Sequence, residues 1–204
     1  FDAELGTSIG IIASASYHNQ QNTYGPRQWN ATQTSDYLNA IFQTGFDDSA
    51  TDLWDDHSHN LSAGLSVNYD GYDESLLGER LEAKGEQPRR HEVTPGVFAE
   101  YTYTYKDKVT LLMGIREDYS TRYGFFTTPR MNLRYAPFEW WTLRGSVGLG
   151  YRTPNAIADN AAYLASNRMY YFGDRIMDNG YGEMGNELAQ EQSLNTGLST
   201  VFYI

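Results

Sequence analysis

Every second residue in this chain is apolar or aromatic through one stretch after another. In residues 92–105 the odd positions read Val93, Pro95, Val97, Ala99, Tyr101, Tyr103 and Tyr105, against Thr94, Gly96, Phe98, Glu100, Thr102 and Thr104. Such a segment has one apolar face and one small or polar face, which is the pattern of a half-buried strand and not of a helix. After the polar turn Lys106-Asp107-Lys108, Val109, Leu111, Met113, Ile115 and Tyr119 alternate with Thr110, Gly114, Arg116, Asp118 and Ser120. The two stretches predict a hairpin of long strands.

The alternation recurs around Ile9, Ile11, Ala13, Ala15 and Tyr17; around Leu61, Ala63, Leu65, Val67 and Tyr69; around Met131, Leu133 and Tyr135; and around Trp141, Leu143, Val147, Leu149 and Tyr151. Weaker versions occupy residues 34–46 and 192–204. The sum is about eight strands of about 10–15 residues, roughly twice the length usual in soluble sheets. Connections at Lys106–Lys108 and Pro137–Glu139 read as short, and 121–128 as modest. Residues 18–33, 71–90 and 155–189 read as long polar outer loops, with 47–58 counted beside them. Short turns at one end, long loops at the other and aromatic rings at strand ends describe an all-β, antiparallel transmembrane β-barrel. The 17 Tyr, 9 Phe and 4 Trp supply those rings. A net charge of −11 argues against a nucleic-acid partner. The absence of cysteine excludes disulfides and thiolate chemistry. The chain opens Phe1-Asp2-Ala3-Glu4 without a signal peptide and reads as a mature or excised piece. Two other arrangements stay open at this level. A complete eight-stranded barrel would pair the strands holding Ile11 and Leu198. A secreted β-sandwich binding module would bury Leu65, Leu111 and Leu149.

From Gly148 onward the residues carry a family likeness. Gly148-Leu149-Gly150-Tyr151-Arg152-Thr153-Pro154-Asn155 resembles the Gly-aromatic-Arg-[Ala/Thr/Ser]-Pro segment of TonB-dependent outer-membrane receptors. Asn186-Glu187-Leu188-Ala189-Gln190-Glu191 through Asn195-Thr196-Gly197 resembles the stretch that leads into the family's next strand, with Asn186 and Gln190 where prolines are common. Residues 24–33, Tyr24-Gly25-Pro26-Arg27-Gln28-Trp29-Asn30-Ala31-Thr32-Gln33, look like a segment of receptors from the Bacteroidetes group. The resemblance implies a barrel of 22 strands around a plug, of which this chain would be an internal section lacking the plug and the remaining strands. It implies a Gram-negative outer membrane and active uptake of a scarce ligand: an iron chelate, haem, cobalamin, an oligosaccharide or a peptide. The implied partners are outer-membrane lipid, the receptor's own plug, TonB through segments outside this chain, and a surface lipoprotein.

Several clusters could carry chemistry. Tyr24, Arg27, Trp29 and Trp54 pair exposed rings with a guanidinium, which suits stacking on sugar or chelate rings. Tyr163, Arg168 and Tyr170 form a second such set, and Arg152 with Asn155 and Asp159 follows the family motif. Asp52, Asp55, Asp56 and His57 could take a metal, calcium through the carboxylates in an outer loop or a transition metal with the imidazole. Asp70, Asp73 and Glu74 head the 71–90 connection. Arg116, Glu117, Asp118, Arg130, Arg134, Arg144 and Arg152 are expected to form ion pairs inside the barrel. No nucleophile elbow, Walker loop or dinucleotide glycine pattern occurs, so the sequence supports no enzyme and no cofactor.

Overall fold

The computed structural model describes residues 6–47, 57–78, 81–83, 89–106, 108–154, 158–166, 170–172 and 190–203. The strands are β1 (Thr7–Tyr24), β2 (Arg27–Asp47), β3 (His57–Gly78), β4 (Leu81–Ala83), β5 (Arg89–Tyr105), β6 (Val109–Ser120), β7 (Gly124–Thr127), β8 (Arg130–Phe138), β9 (Trp141–Arg152), β10 (Tyr170–Phe172) and β11 (Glu191–Phe202). One antiparallel sheet runs β1-β2-β3-β5-β6-β8-β9-β11, with β7 continuing the partner of β6 beyond β8. It curves into a half-barrel. All eight expected strands are present. Among the described residues the ends β1 and β11 pair only inward, with β2 and β9. Ile11 faces Ala40 and Leu198 faces Gly145, so the closed eight-stranded barrel is not formed.

The register sorts residues into rows that share a face. Ile11, Ala40, Leu65 and Val97 form one row, and Ile9, Phe42, Ala63, Ala99 and Ile115 the next. On the opposite face Asn39, Ser66, Gly96 and Asp118 line up in the same way. The burial is inverted relative to a water-soluble protein. Ile11 is 74% and Leu65 63% exposed, while Asn39 and Asp118 are 7% and 4% exposed. In water this would waste the apolar surface; against hydrocarbon the same arrangement is the stable one. It also disposes of the sandwich, since among the described residues no second sheet covers the face that holds Leu65.

Aromatic rims bound this apolar face. At one end His57 stacks on Tyr105 at 4.6 Å, His59 lies 5.3 Å from Tyr103, and Trp140 and Trp141 stack with Phe138 and Phe202. Tyr103 and Tyr101 share hydrogen bonds of 2.6 Å with His57 and His59. At the other end stand Tyr17, Tyr69 with His91, and Tyr119 with Phe125. Tyr69 and His91 meet over Gly71, where a Cβ would lie 2.9 Å from the Tyr69 hydroxyl. From His59 to Tyr69 is about ten residues, roughly 33 Å of strand. At the usual tilt near 45° that projects to about 23 Å, the height of an outer-membrane apolar band.

Beyond the Tyr17–Tyr69 rim the strands do not stop. Residues 18–33 were expected as a polar loop and are instead a ladder, closed by a two-residue turn in which Gly25 takes φ 61°. Residues 71–78 likewise continue β3, and residues 124–127 are strand with only 121–123 as turn. Residues 18–33 and 71–78 leave the rim as paired strand and not as irregular chain. An antiparallel meander alternates ends, so the 47–58 link lies with the Lys106–Lys108 turn, opposite the long excursions. The strand ends that bound it, Asp47 and His57, stand at the short-turn end and not at the outer end.

Candidate functional site on the inner face

On the excursion side of the rim, inward side chains form a small core. Trp29 and Leu76 face each other across β2 and β3, and Leu164 covers them from a 3-10 turn at Ala158–Ala165. Trp29 Nε1 donates to Glu74 Oε1 at 3.2 Å. Arg27 is 1% exposed, and its Nη1 donates to the carbonyls of Leu164 and Ser166 at 3.0 and 2.8 Å. Arg27 and Trp29 therefore clamp the connection that follows β9 onto the β2–β3 hairpin, with Tyr24 packed alongside. A second attachment is the parallel pairing of β10 with β4.

Nearer the membrane the inner face is a network of polar side chains. Ser35 and Asn68 donate to Asp70, and Gln33 donates to the Tyr72 hydroxyl at 2.9 Å. The Arg90 guanidinium lies 4.0 Å over the Tyr72 ring. Burial raises the Tyr72 phenol above its ordinary value, and Arg90 only partly offsets this. Ser120 donates to Glu92 at 2.7 Å, with Ser120 fully buried. Arg116 holds Asp118 at 2.6 Å and Ser66 at 2.7 Å, and Arg130 pairs with Glu100. Two adjoining cavities of about 440 and 530 Å3 share Arg116, Asp118, Phe126 and Tyr151. Asn39 lines the larger, and its buried Oδ1 has no hydrogen-bond partner among the described residues.

The expected ion-pair network is present in part: Arg116 with Asp118, Arg130 with Glu100 and Arg152 with two carboxylates. Glu117 lies across from Val97 on the outward face, where Thr127 donates to it. Arg134 and Arg144 face each other in register on the inner side. Arg152 pairs with Asp159 and with Glu191, the latter at 3.0 Å, which ties the start of the long connection to both strands beneath it. The acidic trio splits: Asp70 and Glu74 turn inward, while Asp73 turns outward to Arg89 at 3.2 Å. Tyr163 is exposed at 57% on the 3-10 turn. Tyr170 lies in β10, of which only the backbone is described. Trp54, Asn155, Arg168, Asp52, Asp55 and Asp56 lie outside the described residues. His57 stands in the aromatic rim, and among the described residues no group of three His, Asp or Glu is placed to hold a metal.

The sequence reading missed Asn39, Tyr72, Arg90 and Glu92 as members of the inner site. A signal existed for the last two: Arg90 and Glu92 share parity with Thr94, Gly96 and Glu100 and extend that polar face past the rim.

Comparison with known proteins matches this architecture. The curated relative found is a probable TonB-dependent siderophore receptor PirA of Acinetobacter baumannii, 24% identical over 128 residues, which are 63% of this chain and 17% of that protein. Among solved structures, the siderophore receptor PirA of Pseudomonas aeruginosa superposes with a TM-score of 0.54 at 16% identity, covering 97% of this chain and 36% of its own. A ferric enterobactin receptor (PfeA) variant from the same organism superposes at 0.55 and 17% identity, covering 98% and 33%. The match thus spans about a third of the two solved receptors and 17% of the curated relative. The model of the TonB dependent receptor-like β-barrel family matches residues 1–203, and the inside-out half-barrel with its two aromatic rims belongs to that family of Gram-negative outer-membrane proteins.

Proposed function

We propose that this chain is wall and vestibule of a receptor that imports a ferric siderophore chelate. The observation that carries the reading is the inner face, where arginines and carboxylates surround two adjoining open cavities, one within the barrel wall and the other reaching the outer rim at Asp70, Tyr72 and Arg90. The names of its relatives favour an iron chelate over haem, cobalamin, oligosaccharide or peptide. The remaining strands and the plug lie elsewhere in the receptor on this reading, and the plug donates to the Asn39 Oδ1 that the wall leaves unmet. Energy reaches the plug through TonB, and lipid covers the apolar face. A surface lipoprotein is the further partner, set over the excursions that carry Tyr24, Tyr163, Arg168 and Tyr170. Asn155 works with Arg152 at the foot of the long connection. Calcium is the metal proposed for Asp52, Asp55 and Asp56, through their carboxylate oxygens. The narrower kinship with the Bacteroidetes group rests on the Tyr24–Gln33 segment alone.

The test is uptake by cells that make the full-length receptor in a strain lacking it. Radiolabelled iron on a tris-catecholate chelate is expected to accumulate only with the receptor and an intact TonB. Accumulation of haem, cobalamin or an oligosaccharide in its place would reassign the ligand and leave the barrel assignment standing.

A further inference from the structure

Above the outer aromatic rim, the lipid-facing side of the sheet changes character within one row. The rim row is Tyr17, Thr34, Gly71 and His91. The next row on the same face is Asn19, Thr32, Asp73 and Arg89, and the one above it Gln21, Asn30 and Ser75. Below the rim the corresponding rows hold Ile11, Leu65 and Val97. The two upper rows line a shallow groove of about 240 Å3.

The groove is built for hydroxyls rather than phosphates. Among the described residues its charged side chains are Arg89 and Asp73 on this face, paired at 3.2 Å with both largely exposed, and Glu74, which turns away to Trp29 on the inner side. A phosphate head would call for several unpaired cations. Carboxamides offer a donor and an acceptor side by side, matching neighbouring sugar hydroxyls that both give and take protons. Asn19 Nδ2 already reaches Thr32 Oγ1 at 3.3 Å, so the two strands present their polar groups as one surface. Tyr17, 70% exposed, stands two residues below Asn19 as a ring for the apolar side of a sugar.

We propose that these two rows hold the sugar head of the lipid that forms the outer leaflet. The argument is continuity: a lipid whose acyl chains cover Ile11 and Leu65, and whose interface meets Tyr17, carries its head group against Asn19 and Gln21. The surface therefore serves to seat the barrel in a glycolipid leaflet, independently of which ligand passes through it.

The test uses the purified full-length receptor in detergent, with thermal unfolding followed as lipid is added. Lipopolysaccharide with a complete core oligosaccharide is expected to raise Tm more than the same lipid stripped to its phosphorylated, sugar-poor anchor. The triple variant Asn19→Ala, Gln21→Ala, Asn30→Ala should lose that difference while keeping its Tm in detergent alone. The single variant Gln21→Ala, on an exposed side chain, should lose part of it and covers the case in which the triple variant fails to fold. Equal shifts from both lipids, or a difference that survives in the amide variants and vanishes in Arg89→Ala, would overturn the proposal; the last result would make the contact one to phosphate.

Discussion

Leu65→Arg is expected to destabilise the full-length receptor in phospholipid vesicles by about 2–4 kcal/mol, measured by reversible unfolding in denaturant. Leu65 lies midway between His59 and Tyr69 on β3, so its side chain meets the bilayer near its midplane. It is 63% exposed, which leaves no protein to repack around a new charge. The cost is the transfer of a guanidinium into hydrocarbon, and it falls with distance from the midplane. The control is Thr23→Arg, outward on β1 and beyond the Tyr17 rim, where the change should stay within about 1 kcal/mol. A general loss of strand propensity would affect both positions alike, so the contrast isolates the bilayer. A neutral Leu65→Arg would remove that strand from the membrane.

This contrast also explains which parts of the fold were legible. Where one face meets hydrocarbon and the other a polar interior, the two faces select different residues and the period-two pattern is written plainly, as in β3 and β5. Past the rim both faces meet water or polar chain. The ladder from Asn19–Thr32 to Tyr24–Arg27 then carries amides on both sides and no apolar alternation. Backbone pairing holds it, and backbone pairing leaves no mark in side-chain composition. Only Gly25-Pro26 signalled the turn. The position of the 47–58 link needed no structure at all, because strand alternation fixes which end each connection occupies. The inner site was half legible. Arg116 with Asp118 sits two apart on one strand and declares its face. Tyr72 and Glu92 line one cavity from two strands and Asn39 lines the adjoining one from a third, and that placement depends on a register that hydrophobic pattern alone leaves undetermined.

Arg27→Ala is expected to release the turn at 158–166 without unfolding the barrel. One buried guanidinium nitrogen serves the carbonyls of Leu164 and Ser166. Charge-assisted hydrogen bonds contribute about 1.5–3 kcal/mol each, and the shared donor makes about 2–4 kcal/mol a fair sum for the pair. Amide exchange at residues 158–166 should then speed up by about 30- to 800-fold, with β3 and β5 unchanged. Tyr163→Ala, on the exposed side of the same turn, should leave exchange as it is. Leu164→Ala should give a similar release through lost packing on Trp29 and Leu76, since Leu164 is 4% exposed and fills that contact. If exchange stays slow in Arg27→Ala while Leu164→Ala releases the turn, packing holds the clamp and the hydrogen bonds only orient it. If neither variant changes exchange, the turn is held from its other end, through Arg152 and Asp159. Opening over the vestibule would then have to begin at β9 and not at the β2–β3 hairpin.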